Sequence, residues 1–175
     1  DYKLPIRTVY HIFDKIPYEV VAGLVVMPLT LNHLSWRARG RVKKYKSMEN
    51  RDKPKLVISS ILLGSYVYKL KVLKSLEVIK EINDIKTTTI EEFRKNILNC
   101  ITINGVNYIK VLTEDHNLVV IPIKTITTEE KRLQDVYKYK ESSLISILKK
   151  KCSDTCSKTK KTTHHEVKKT LHKKN

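Results

Sequence analysis

The sequence predicts an α+β domain, on three observations. Short aliphatic blocks read as strands, two stretches carry helical spacing, and 175 residues hold one ordinary core plus an appendage. The strand-like blocks are Val20–Leu29, Leu56–Leu63, Val78–Ile82, Tyr108–Leu112 and Leu118–Ile123, separated by Gly, Pro, Asn and Asp. Between the first two, Arg37, Arg39, Arg41, Lys43, Lys44, Lys46, Arg51, Lys53 and Lys55 outnumber Glu49 and Asp52, so 36–55 reads as an exposed, mobile basic insert. The third block leads through an Asn83-Asp84 turn to Ile85-Lys86 and then to a helix over Thr89–Asn99. There Ile90, Phe93 and Ile97 fall on one face, and Thr88 or Thr89 can accept the free amide hydrogens of the first turn. Glu91 and Glu92 near its start and Arg94 and Lys95 further on suit the helix dipole. A second helix is expected over Thr128–Tyr139, where Glu129, Glu130 and Lys131 precede Leu133, Val136 and Tyr137.

Charge divides the chain. Of the net +17, residues 149–175 hold +8, from ten Lys against Asp154 and Glu166. Apart from Val167 and Leu171, little there is apolar, too little to offset the entropy of ordering, so 141–175 is expected to be a disordered basic tail. The excess charge attracts a nucleic acid, an anionic membrane surface or an acidic partner, and alone selects none of them. Three cysteines, Cys100, Cys152 and Cys156, do not make a fully paired secreted framework, which points to a reducing intracellular compartment: nucleus, cytosol or an organelle. No apolar run reaches the length of a membrane span, and the opening residues do not resemble a signal peptide. Without an initiator Met, the chain is expected to be part of a longer one.

Catalytic motifs are missing. With only Gly23, Gly40, Gly64 and Gly105, the sequence has no Gly-x-Ser-x-Gly elbow, phosphate-cradling loop or dinucleotide fingerprint. Cys152, Cys156, His164, His165 and His172 could in principle ligate zinc, but their spacing fits no compact finger and they read as polar residues scattered in the tail. Cys100 follows an apolar helix face as a small buried hydrophobe, while His11 and His116 read as turn or surface residues. No cofactor is expected. A nucleic-acid reading rests on the cations of 37–55 with Trp36 and Tyr45 interleaved, able to contact phosphates and stack a base. Against it, lysine-rich loops are commonly solvated surface, and no nucleic-acid motif is present.

Three stretches together resemble one family. "HIFDKIPYEVVAGLVVMPLTLNHL" (His11 to Leu34) is similar to the start of the second PDZ domain of plant-type Deg/HtrA serine proteases. "LVISSILLGSYVYKLKVLKSLEVIKEINDIKTTTIEEFRKNI" resembles that domain's next strands, turn and helix, and "NYIKVLTEDHNLVVIPIKT" its closing strand pair, followed by a helical extension. Asp84 stands where the turn usually has Gly, and the basic insert is a further departure.

The resemblance implies a PDZ-like, partly open β-barrel or sandwich over residues 1–140. It also implies a noncatalytic module of a serine endopeptidase, serving peptide recognition, gating or oligomer assembly in protein quality control. In such a fold a peptide, usually a C-terminus, adds a strand in a groove between one strand and one helix. The matching strand is Leu24 to Leu29 and the matching helix Ile90 to Asn99. The residues implied to bind peptide are Val21, Ala22, Gly23, Leu24, Val25, Val26, Ile90, Phe93 and Ile97, with Val21 to Leu24 as the loop that turns amides toward a carboxylate. Implied partners are a protein or peptide segment, the protease catalytic domain and further copies in an oligomer. The alternative is a small basic nucleic-acid-associated protein of ribosomal type.

Overall fold

The computed structural model describes residues 4–10, 12–34 and 40–150. It holds an eight-stranded antiparallel sheet, open and curled, with short helices packed on it. β1 (Glu19–Val21) and β2 (Leu24–Pro28) form a hairpin, β3 (Leu56–Ile61) pairs with β2, and β4 (Val78–Ile82) pairs with β3. β5 (Ile85–Lys86) folds back on β4, α2 (Ile90–Ile97) follows, and β6 (Ile101–Ile103) forms a hairpin with β7 (Val106–Thr113). β7 pairs with β4 and, on its opposite side, with β8 (Leu118–Pro122). α1 (Tyr66–Leu70) lies between β3 and β4, and α3 (Ile123–Tyr137) leaves β8 directly.

Three hairpins share one turn chemistry. Ala22-Gly23, Asn83-Asp84 and Asn104-Gly105 are two-residue loops whose φ values are all positive, between 50° and 79°. That is the signature of the I′ turn, whose twist matches that of paired strands. The turn at Asn83-Asp84 is where the sequence places it. The Val20–Leu29 block, read as one strand, is instead broken at Ala22-Gly23 and folds back on itself.

β2, β7 and β8 alternate as half-buried strands should, whereas β3 opens on three buried residues. Inward residues of β2, β3, β4, β7 and β8 join Phe93 and Ile97 of α2, Ile123 and Ile126 of α3, and Leu144, Ile145 and Leu148 in the main core. A second cluster, with Ile6, Leu29, Leu34, Val42, Tyr45, Val57 and Val78, lies on the other face of β3.

Several boundaries move. α3 starts at Ile123 rather than Thr128, because Ile123 and Ile126 are buried on the sheet and packing overrides the weak helix propensity of its β-branched first turns. Residues 143–150 are helical and place three apolar side chains in the core, so the ordered domain continues past the boundary expected at 140. The rest of the expected tail, with Cys152, Cys156, His164, His165 and His172, lies outside the described residues, as does His11. Cys100 is a free thiol, partly buried against the main core, and His116 sits exposed in the β7–β8 turn.

The basic insert is also corrected. Residues 40–55 form tight turns and short 3-10 segments in which Val42 and Tyr45 are buried, rather than an open loop. Three of its cations meet acidic groups, with Lys44 and Lys55 at 2.6 and 2.7 Å from the Glu114 carboxylate and Arg41 at 3.3 Å from Asp115, while Lys43, Lys46 and Lys53 stay exposed as the sequence suggests. Trp36, Arg37 and Arg39 lie outside the described residues.

Candidate functional site

α2 is fixed at its start by a capping box. The Thr89 hydroxyl accepts from Glu92 N at 3.2 Å, and the Glu92 carboxylate accepts from the amides of Thr88 and Thr89. The Thr88 amide, aided by the other donors there, holds the Glu92 carboxyl below its ordinary value, as befits an anion at a helix N-terminus. The side chains of Ile90, Phe93 and Ile97 are buried toward the sheet, in the same core as Leu24 and Val26 of β2.

The turn before α2 is tied to it by buried amides. Asn83 Nδ2 donates to the Asn96 carbonyl at 2.9 Å, and Asn96 Nδ2 donates to Thr87 Oγ1 at 2.9 Å. Asn83 Oδ1 accepts from Lys110 N at 2.8 Å, carrying the network onto β7. Each group is satisfied in a buried setting, where an unpaired amide would cost stability. The polar turn therefore sets how α2 sits on the sheet.

β2, the strand implied to receive a peptide, is paired on both sides: β3 on one, β1 on the other. β1 is clamped from two directions by its own Glu19. Arg94 Nε of α2 donates to Glu19 Oε1 at 2.6 Å, and Ser142 Oγ donates to Glu19 Oε2 at 2.6 Å. The side of β2 that Arg94 reaches is thus already filled by an extended segment of the same chain.

The nine residues implied by the resemblance come together, with unequal access. Val21, Ala22, Leu24, Val26, Ile90, Phe93 and Ile97 are buried in the main core, while Val25 is half-buried on β2. Val21 and Leu24 form the closing pair of the β1–β2 hairpin, so Val21 to Leu24 is a tight turn rather than an open loop. Gly23 has φ +79°, and its carbonyl accepts from Leu62 N at 2.8 Å. A Cβ there would fall 2.3 Å from Ser65 Cβ, so Ser65 and α1 close over the turn.

Sequence reasoning missed the clamp and two buried carboxylates. Glu77 accepts from Asn117 Nδ2 at 2.9 Å, and Glu130 accepts from Gln134 Nε2 and the Tyr139 hydroxyl, both at 3.0 Å. In each the second oxygen is buried without a hydrogen-bond partner among the described residues, and burial pushes both carboxyls upward despite those donors. Glu114 goes the other way. Burial alone would raise it, but hydrogen bonds from Lys44, Lys55 and Tyr45 outweigh burial and hold it low.

These pairings weaken the nucleic-acid reading, since Arg41, Lys44 and Lys55 meet acidic groups of the same chain. Among the described residues there is no cluster of three or more His, Cys, Asp or Glu able to hold a metal ion, and no helix is long and apolar enough to cross a membrane. The arrangement can hold an extended strand beside a helix by backbone pairing and one ion pair. A search among curated proteins finds no match. Among protein families, residues 8–143 match the PDZ domain.

Proposed function

Because the chain belongs to the PDZ domain family, we propose that it is a noncatalytic interaction module of a Deg/HtrA-type serine protease, with its recognition edge held by its own first strand. PDZ domains bind peptides or proteins by adding a strand beside a helix. The observation that carries the proposal is the position of β1: it pairs with β2 where a ligand strand would pair, and Glu19 fastens it to Arg94 of α2. The Deg/HtrA context is supported by the His11 to Leu34 block and the strand-turn-helix that follows β3. In that setting the module positions substrates, gates the catalytic domain or joins subunits.

The test is an amide-shift titration with a short peptide ending in a free valine carboxylate. In the unmodified chain, signals from residues 24–28 and 90–97 stay still. With Glu19→Ala, which unfastens β1, they move, with affinity on the order of micromolar. A silent Glu19→Ala chain that retains its fold overturns the proposal that this edge recognises peptides. The protease context is tested by sedimentation of the chain with a Deg/HtrA catalytic domain, and a failure to co-sediment removes it.

A further inference from the structure

Among the described residues, one edge of the sheet is left open. β5 spans two residues and β6 three, while β1 is clamped by Arg94 and Ser142. β8 is five residues long, and among the described residues only β7 pairs with it. Edge strands of soluble proteins are normally blunted by charge, by a bulge or by a cover. β8 reads Leu-Val-Val-Ile-Pro, with no charge and with Pro122 only at its end. Val119 and Ile121 face the core, while Leu118 and Val120 stand 45% and 41% exposed on the outer face. The register sets Leu118 opposite Leu112 and Val120 opposite Lys110, and Ile103 and Val106 extend the same outer face at 51% and 42% exposure.

We infer that the free edge of β8 is a second docking site, which adds an extended partner segment of alternating apolar and acidic residues as a further strand. The unpaired backbone selects an extended chain, and five residues match a strand of roughly 17 Å. The apolar positions of that segment continue the stripe formed by Leu118 and Val120. Charge selects the partner: the chain carries +17 and Lys124 is exposed just past the strand, while Lys110, beside Val120, is paired with Asp84 at 2.6 Å. A second copy would bring like charge to this edge, whereas an acidic segment is attracted to it. The inference rests on the interaction-module reading but not on the groove beside α2, since β8 and β2 lie at separate places in the sheet.

The probe is a capped nine-residue peptide of alternating valine and glutamate, with a control carrying proline at its central valine. Hydrogen exchange of individual amides is followed in the full chain. The expected result is at least fivefold slower exchange among the outward amides of residues 118–121, weakened by added salt and lost with the proline control. Val120→Asp, at an exposed position, abolishes the slowing while exchange in the core stays unchanged. Unchanged exchange at 118–121 overturns the inference. Slowing confined to 19–21 or 24–28 overturns it and also the closure of the groove by β1, whereas silence at both edges overturns this inference alone and leaves the groove reading to the Glu19→Ala titration. Self-association of the chain that Val120→Asp abolishes assigns the edge to a second copy and overturns the choice of partner.

Discussion

Gly23 is where a single atom decides local geometry. Its positive φ suits glycine, and a methyl there would overlap Ser65 Cβ, a side chain fixed as the α1 N-cap by its bond to Tyr68 N. Gly23→Ala is therefore expected to destabilise the domain by about 2 to 4 kcal/mol in urea denaturation. Loss of less than about 0.5 kcal/mol would mean that α1 moves aside freely. The same residue explains a misreading of the sequence. An Ala-Gly pair inside an unbroken aliphatic run announces a turn far less clearly than Asn104-Gly105, which marks the β6–β7 hairpin and passed unread because Ile101–Ile103 is so short.

At the scale of the element, α2 was the most legible part of the chain because its signals are local. Thr89 and Glu92 stand at capping-box spacing, and Ile90, Phe93 and Ile97 fall on one face. Thr89→Ala should cost about 1 kcal/mol of stability and speed amide exchange in the first turn of α2 before elsewhere. An unchanged exchange pattern would show that the Asn83–Asn96–Thr87 network alone fixes the helix. The start of α3 and the helix at 143–150 were hidden for the converse reason. Their order comes from Ile123, Ile126, Leu144, Ile145 and Leu148 meeting a sheet built from distant segments. The clamp on β1 is of that kind too, since Glu19 and Arg94 are 75 positions apart. Apolar side chains of the candidate site could be named from the sequence, but not whether the edge beside them was open.

For the whole molecule, the basic insert is held to the body through Glu114, which receives Lys44, Lys55 and the Tyr45 hydroxyl. Because this carboxyl titrates lower in the folded chain than in the unfolded one, its stabilisation is present above the unfolded value. It is lost as pH falls through the folded value. Glu114→Gln is expected to cost roughly 1 to 2 kcal/mol at pH 7, and the gap between the two chains should close as pH falls through the folded value in parallel urea titrations. A gap that persists at acid pH would assign the loss to packing rather than charge.

β3 is apolar on both sides: Leu56 and Ile58 belong to the main core, while Val57 belongs to the cluster beneath the insert. A party wall of this kind lets neither room be emptied alone, because melting the insert strips one side of the strand that the other room leans on. Calorimetry should accordingly record one endotherm, with enthalpy matching the van't Hoff value, for a chain whose sequence looks like a compact body with a charged loop attached.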